Sequence, residues 1–200
     1  MRPTVKKLSR TSIKRKAKDK RSVQSKPTIL RLTKREKELL ELHKTLLLQI
    51  ELVPRTSWFS NVRSNVKTKH WDRIRKEIYL KANFKCEICS GVGETHPVEC
   101  HEVWTYDIAT RTQRLSYFQA ICQFCHEVKH IGLAAIRGNG ERASNRFTEL
   151  NQLDIETAKE IRRAVFKQWR MRSKKKWKLD IDLLKTFDID LTELKTKKKS

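Results

Sequence analysis

Two CxxC pairs constrain this chain more than any other feature of its sequence. Cys86 and Cys89 form the first pair, and Cys122 and Cys125 form the second, with residues 90–121 between them. Each pair can turn two thiolates toward one ion, and four cysteine ligands are typical of a tetrahedral structural zinc site. The odd total of five cysteines is also unlike a disulfide framework. The sequence therefore predicts one structural zinc; the alternative is four unrelated buried or redox cysteines.

The charge balance indicates the kind of partner. The 200 residues include 46 lysines and arginines against 23 acidic residues, which gives a net charge of +23. A chain this basic repels itself unless its partner is a polyanion, so we expect it to bind nucleic acid and no membrane. The sequence has neither an apolar run long enough to cross a bilayer nor a secretory signal, and we expect a cytoplasmic protein.

Composition and periodicity divide the chain into five segments. Hydrophobic residues make up 38% of the chain, which predicts a compact core in only part of it. Eleven basic residues and one acid among the first 28 predict a disordered arm that binds nucleic acid, or else a solubilising tail. The predicted segments are a basic arm (1–31), an amphipathic helix (32–53), a core that carries the cysteines (54–137), a helical region (138–187) and a basic tail (188–200).

Apolar spacing predicts where the helices lie. A capping box at Thr33 and Glu36 precedes an apolar stripe that includes Leu46 and Ile50, so we predict a helix that ends near Pro54. We expect further helices over residues 69–82 and 122–135 and two within 141–169. Glycines after Cys89 followed by β-forming residues predict a short hairpin before Cys122.

Three histidines near the cysteines predict a second metal site. His126 and His130 are four residues apart on a predicted helix, so they project from one face and can share an ion. His101 lies on a predicted strand between the two CxxC pairs. Because both elements adjoin the cysteines, we interpret the three histidines as one functional site.

Three segments in this order resemble the HNH endonucleases of the ββα-metal type, in the bacterial and phage subclass with a four-cysteine zinc site. They are CEIC (86–89), ECHEVW (99–104) and CQFCHEVKHIG (122–132). The resemblance implies an α+β fold, in which residues 54–137 form a small zinc-stabilised nuclease core wrapped by helices. It also implies a metal-dependent endonuclease that hydrolyses phosphodiester bonds in DNA rather than RNA, in the cytoplasm of a bacterium or a phage-infected host. His101 would be the general base, and His126 and His130 would hold a divalent cation such as Mg²⁺, Mn²⁺, Ni²⁺ or Zn²⁺.

The sequence departs from that family at two positions. Cys100 stands where an aspartate or histidine usually ligates the catalytic metal, and a thiolate there favours thiophilic ions. Glu99 or Glu102 is the alternative ligand, and strand alternation would place Glu99 on the face of His101. Tyr117 stands where an asparagine usually orients the base, which leaves Gln113 or a backbone carbonyl for that task.

A basic segment that follows Trp169 is a candidate nucleic-acid surface. Its cations are Arg170, Arg172, Lys174, Lys175 and Lys176. In this interpretation Trp169 and Trp177 stack on bases; in the alternative they belong to the core and the cations are solvated. Two rival functions stay open: a zinc-containing nucleic-acid-binding module that does not cut, and an assembly protein of a phage or ribonucleoprotein.

Overall fold

The computed structural model describes residues 30–57 and 61–194, and it confirms the predicted α+β class. Most of the predicted basic arm and the basic end from residue 195 onward lie outside the described residues. The main elements are α1 (Lys34–Thr45), α2 (Val62–Asn65), α3 (Thr68–Lys81), β1 (Glu99–Asp107), β2 (Thr112–Ile121), α4 (Gln123–Lys129), α5 (Ile131–Ile136), α6 (Gly140–Leu150), α7 (Ile155–Arg172) and β3 (Lys178–Asp180). Short 3-10 turns cover Arg55–Ser57, Asp182–Phe187 and Leu191–Glu193. Within the described ranges, no helix combines the length and apolar character that a bilayer crossing requires.

The sheet has three strands in the order β1-β2-β3. β1 and β2 form the predicted hairpin; they are antiparallel, and their register shifts between Val103 and Trp104. The tight turn that joins them is held by the Asp107 carboxylate, which accepts from the backbone N–H groups of Ala109 and Thr110. β3 pairs in parallel with the start of β2. The sequence did not predict this strand, because three residues, two of them exposed, carry no periodic pattern.

The hairpin lies between two hydrophobic clusters. The larger cluster joins α1, α4, α6 and α7 around Phe147 and Ile161, both fully buried. The smaller cluster packs Ile74 of α3 against Phe118 of β2 and against Leu184 near the C-terminus. The smaller cluster packs on both strands, whereas the larger cluster reaches the end of β2 through Ile121, so both clusters help to hold the hairpin.

Helix α1 closes the larger cluster by packing on α7. The predicted capping box is present: the Glu36 N–H donates to the Thr33 hydroxyl, and the Thr33 N–H donates to the Glu36 carboxylate. Glu36 also accepts from Lys167 on α7, with the Nζ atom 2.6 Å from Oε2. Near the other end of α7, Arg35 pairs with Glu160 at 2.7 Å. The first helix of the described chain is therefore joined to the last.

The prediction that this helix reaches Pro54 is wrong, because α1 ends at Thr45, the backbone of Leu46 is extended and residues 46–54 are not helical. The apolar residues at 46, 48, 50 and 52 alternate, so they fit a strand as well as a helix, and burial of Leu48 and Ile50 is satisfied in the extended form. Burial lowers the pKa of His43 to about 4, and its neutral Nε2 accepts from the Ile50 N–H at 2.8 Å. The segment is thereby held away from helical geometry.

The other predicted helices are present with small changes at their ends. The structure places α3 within one residue of the predicted 69–82, and α6 and α7 occupy the predicted 141–169, with α7 continuing to Arg172. The predicted helix over 122–135 is divided at His130 into α4 and α5.

Asn151 anchors the extended segment after α1. Its side chain accepts from the Leu48 N–H at 3.0 Å and donates to the Leu48 carbonyl at 2.9 Å.

We expect Asn151→Ala to lower the free energy of unfolding by about 1–3 kcal/mol, because it leaves buried backbone groups unpaired. Gln49→Ala is the control, because it removes hydrogen bonds to half-exposed or exposed carbonyls. It should change the free energy of unfolding by about 0.5 kcal/mol or less. Denaturant titration of both variants checks this; equal losses would show that the anchor is unimportant.

Candidate metal centres and the cleft around them

The four predicted cysteine ligands come together in one cluster. The Sγ atoms of Cys86, Cys89, Cys122 and Cys125 all lie within 4.8 Å of one another. The Sγ atoms of Cys89 and Cys122 are 3.7 Å apart, which agrees with the spacing of about 3.8 Å that a tetrahedron with Zn–S bonds of about 2.3 Å requires. The residues present therefore fit a structural zinc ion.

Local backbone geometry presents the first cysteine pair. The Ser90 N–H donates to the Cys86 carbonyl at 2.8 Å, and Ser90 adopts a left-handed φ of 60°, which turns the chain after Cys89. Gly93 is needed in the next loop, since a Cβ there would lie 2.4 Å from the His96 carbonyl oxygen. Glu87 lies between the paired cysteines and binds the backbone of Ala120 through both its own N–H and its carboxylate. The first pair is therefore joined to the end of β2, immediately before the second pair.

The fifth cysteine supplies a matched control for this site. We expect Cys86→Ser and Cys125→Ser to lose about one zinc per chain and to unfold the central region, because a structural zinc contributes folding free energy directly. Cys100→Ala should keep the zinc and the fold. Elemental analysis with circular dichroism measures both properties, and a folded Cys125→Ser protein without zinc would contradict the structural role.

The three predicted histidines also meet. One ring nitrogen from each of His101, His126 and His130 lies within 4.8 Å of the others, and the ring centroids are 4.8–5.2 Å apart. β1 supplies His101, α4 supplies His126, and His130 lies at the point where α4 ends. Burial lowers the pKa of both His101 and His130, so these rings are neutral near pH 7, the form that binds a cation. This group fits a second metal ion.

Two carboxylates are hydrogen-bonded to ring nitrogens of these imidazoles. Glu51 Oε2 lies 3.0 Å from His101 Nε2, and the Glu99 carboxylate is bonded to His126 Nδ1. A carboxylate that occupies one nitrogen of a histidine orients the ring and directs the other nitrogen to its ligand, as is usual for metal-binding histidines. The structure thus confirms Glu99 on the face of His101, and it adds Glu51, which the sequence analysis did not identify.

Glu51 is itself held by a buried lysine. Lys129, 4% exposed, places its Nζ 2.5 Å from Glu51 Oε1, and the Lys129 carbonyl accepts from the Glu51 N–H at 2.8 Å. Burial raises the pKa of Glu51, but the hydrogen bond from His101 and the charge of Lys129 outweigh burial and lower it to about 2. The carboxylate is therefore ionised, and His101 Nε2 must be the nitrogen that carries the proton.

The prediction that Cys100 is a ligand of the catalytic cation is wrong. Adjacent strand residues face opposite sides, and Cys100 packs against the smaller hydrophobic cluster rather than joining the histidines. Burial raises the pKa of its thiol to about 12, so it stays protonated. Glu102 points away as well, since its carboxylate accepts from the Arg63 N–H at 3.2 Å.

Gln113, the side chain predicted to orient His101, is placed elsewhere, and so is Tyr117, which stands at the asparagine position of the family. On β2 the residue opposite His101 is Gln119, whereas Gln113 pairs with Tyr106 at the far end of the hairpin. Tyr117 lies opposite Val103 and is 49% exposed. Glu51 takes the orienting position instead.

The histidines open onto a cleft with a volume of about 1820 Å³. The arginines that line it are Arg63, Arg75, Arg137, Arg142 and Arg172. Two of them are neutralised by neighbours, since Arg75 pairs with Asp72 at 2.8 Å and Arg142 pairs with Glu127 at 2.5 Å. The cleft therefore offers both a metal-binding group and cationic side chains to one ligand.

The predicted basic segment does not form a single surface. Arg170, Lys174 and Lys176 are exposed, Lys175 is half-buried, and Arg172 turns into the cleft. The tryptophans support the structure: Trp169 Nε1 donates to the Val53 carbonyl at 2.8 Å, and Trp177 Nε1 donates to the Arg172 carbonyl at 3.1 Å. These bonds favour the alternative in which both rings belong to the packed interior.

No family model, curated protein or solved structure matches the chain. The class that fold and site define is therefore an α+β protein with two groups of side chains that could each hold a metal ion, four cysteines in one and three histidines in the other. The HNH resemblance rests on these residues and on the strand–strand–helix order that carries them.

A change at Glu51 tests whether the carboxylate supports metal binding. We expect Glu51→Gln to weaken binding of the second metal ion by about 10- to 100-fold, because the neutral amide holds His101 less firmly. Glu36→Gln is the matched control, since Glu36 also pairs with a lysine but lies away from the histidines. Calorimetric titration with Zn²⁺ of protein that already holds its structural zinc measures the difference. Equal affinities in the two variants would contradict a role for Glu51 at the site.

Proposed function

We propose that this protein is a metal-dependent endonuclease that hydrolyses phosphodiester bonds in DNA. The observation that carries the proposal is the group of three histidines at the wall of a cleft that arginines also line, with one histidine on β1 and two on α4 and its C-terminal end. The large positive charge supports a polyanionic substrate. The four-cysteine cluster supports the same assignment by fixing the strand and helix that carry the histidines.

The roles of the histidines follow from their hydrogen bonds. His126 and His130 would hold the cation, which would supply Lewis-acid stabilisation of charge on the phosphate oxygens. Ionised Glu51 keeps the proton of His101 on Nε2, so Nδ1 is the nitrogen free to accept a proton from water. Glu99 orients His126 by the same means.

The ligand chemistry favours certain ions. With Cys100 on the other face and Glu99 engaged by His126, imidazole nitrogens are the atoms closest to the proposed ion among the described residues. Imidazole suits zinc, nickel and related transition metals better than magnesium. We therefore expect cleavage to be supported best by a transition metal.

A second candidate is a nucleic-acid-binding module that does not cut. It is favoured by the equal spacing of the three histidine rings, because such an arrangement can use all three imidazoles as ligands and leave no base. In that case His101 would be a ligand in a second structural metal site.

Plasmid cleavage with Mg²⁺, Mn²⁺, Ni²⁺ or Zn²⁺ separates the two candidates. We expect the parent protein to cut and His101→Ala to cut about 10²- to 10⁴-fold more slowly, because the base is lost while the Cys₄ zinc stays. His70→Ala is the control, since His70 lies on α3 and does not line the cleft. Parental cleavage by His101→Ala would disprove the assignment of the base.

Metal titration of the same variants identifies the role of His101. A base leaves the affinity for the second ion nearly unchanged when it is removed, whereas His126→Ala should weaken it strongly. If His101→Ala loses the ion as completely as His126→Ala and the parent does not cut DNA, the binding module is the correct function.

A further inference from the structure

Arg172 is a half-buried cation at the wall of the cleft. It is the last residue of α7, and its guanidinium lies over the Tyr106 ring with Cζ 4.5 Å from the ring centroid. Its Nε atom is buried and has no hydrogen-bond partner among the described residues. Burial lowers the pKa of Arg172, and no carboxylate of the described residues offsets this effect. Burial of an unpaired charge is costly, so a ligand that neutralises it would be bound favourably.

Three more buried polar atoms without partners line the same cleft. They are Tyr106 Oη, Gln113 Oε1 and Ser57 Oγ. Gln113 is 1% exposed and Ser57 is 4% exposed, and Gln113 pairs with Tyr106 across the hairpin. Native proteins satisfy nearly all buried polar groups, so four orphan groups along one cleft indicate a binding site for a polar ligand.

The surrounding contacts make this site rigid. The Trp177 ring packs edge-on against Tyr106 with centroids 5.0 Å apart, and its Nε1 holds the Arg172 carbonyl. The turn that carries Ser57 is joined to the chain after α7, because the Thr56 hydroxyl donates to the Lys175 carbonyl at 2.6 Å. The guanidinium and the hydroxyls are therefore positioned before a ligand arrives.

The chemistry of the four groups selects an anion with several oxygens. A guanidinium and two hydroxyls donate hydrogen bonds, and the Gln113 amide can present its NH₂ group in place of its oxygen. A phosphodiester group has one negative charge and accepts such bonds. We propose that Arg172, Tyr106, Gln113 and Ser57 form a subsite for a backbone phosphate of the bound nucleic acid.

The subsite deepens the proposed function and rests on it for the identity of the ligand. Tyr106 and the other subsite residues line the same cleft as Glu51, the carboxylate that holds His101, and as the three histidines. A strand cut at the histidines would thus place a neighbouring phosphate at Arg172. Such a contact away from the reacting bond fixes the position of the scissile phosphate.

Binding to a fluorescent DNA duplex without added divalent cation tests the subsite. We expect Arg172→Gln to weaken binding by about tenfold or more and to reduce the slope of log affinity against log salt by about 0.9, the loss of one phosphate contact. Tyr106→Phe, which keeps the ring and loses the hydroxyl, should weaken binding by about threefold or more. Arg163→Gln removes the same charge from an exposed position on α7 and should change binding by less than about twofold.

The outcomes distinguish this proposal from the nuclease assignment. If Arg172→Gln is folded and binds and cuts like the parent, the subsite is disproved while the nuclease stands. If the parent does not cut but Arg172→Gln still loses affinity and salt dependence, the subsite stands and the nuclease fails. In a second arm, inorganic phosphate is titrated at constant ionic strength. Binding as tight as that of the duplex, lost in Arg172→Gln, would assign the site to free phosphate and overturn the backbone assignment.

Discussion

The fold depends on bringing four sulfur atoms to within 4.8 Å of one another. Such a cluster is stable when a cation neutralises the thiolates, and in binding one it joins the loop after α3 to the start of α4. The segment between the two cysteine pairs, which includes the whole hairpin, is then a loop whose two ends are joined at the cysteine cluster. His101 is carried back to His126 by this closure, so the histidine group depends on the cysteine group although they share no residue.

Local sequence patterns were sufficient to predict the four cysteines and the three histidines, but not the residues that orient the histidines. The cysteine pairs and the HxxxH spacing carry their geometry within a few residues, and the structure brings both sets together as expected. Glu51 was missed because it reaches His101 across 50 positions from a segment whose alternation also fits a helix. Cys100 was misplaced because the resemblance outweighed strand alternation, the same rule that correctly placed Glu99. Propensity and spacing are local properties, whereas these errors concern tertiary contacts.

Each of the two hydrophobic clusters positions a different side of the cleft. The larger cluster holds the helices that carry His126, Lys129 and Arg172, and the smaller cluster holds the outer face of the hairpin through Trp104 and Phe118. The cleft lies where the inner face of the hairpin meets the helices, so its polar groups are set by packing on both sides. Buried, preorganised polar groups of this kind cost stability, and proteins retain them chiefly where they bind something.

The packing of α1 on α7 affects the order in which tertiary contacts can form while the chain is being synthesised. A nascent chain that has emerged as far as residue 137 already carries every cysteine and histidine of the two groups. Glu51, however, lies in a segment anchored by Asn151 and preceded by a helix that packs on α7, whose contacts extend to Lys167. Chains emerge N-terminus first, so Lys129 is available to pair with Glu51 before α7 is synthesised, whereas the anchor at Asn151 and the contacts with α7 form later. The segment that carries the orienting carboxylate therefore completes its packing only after α6 and α7 have been synthesised.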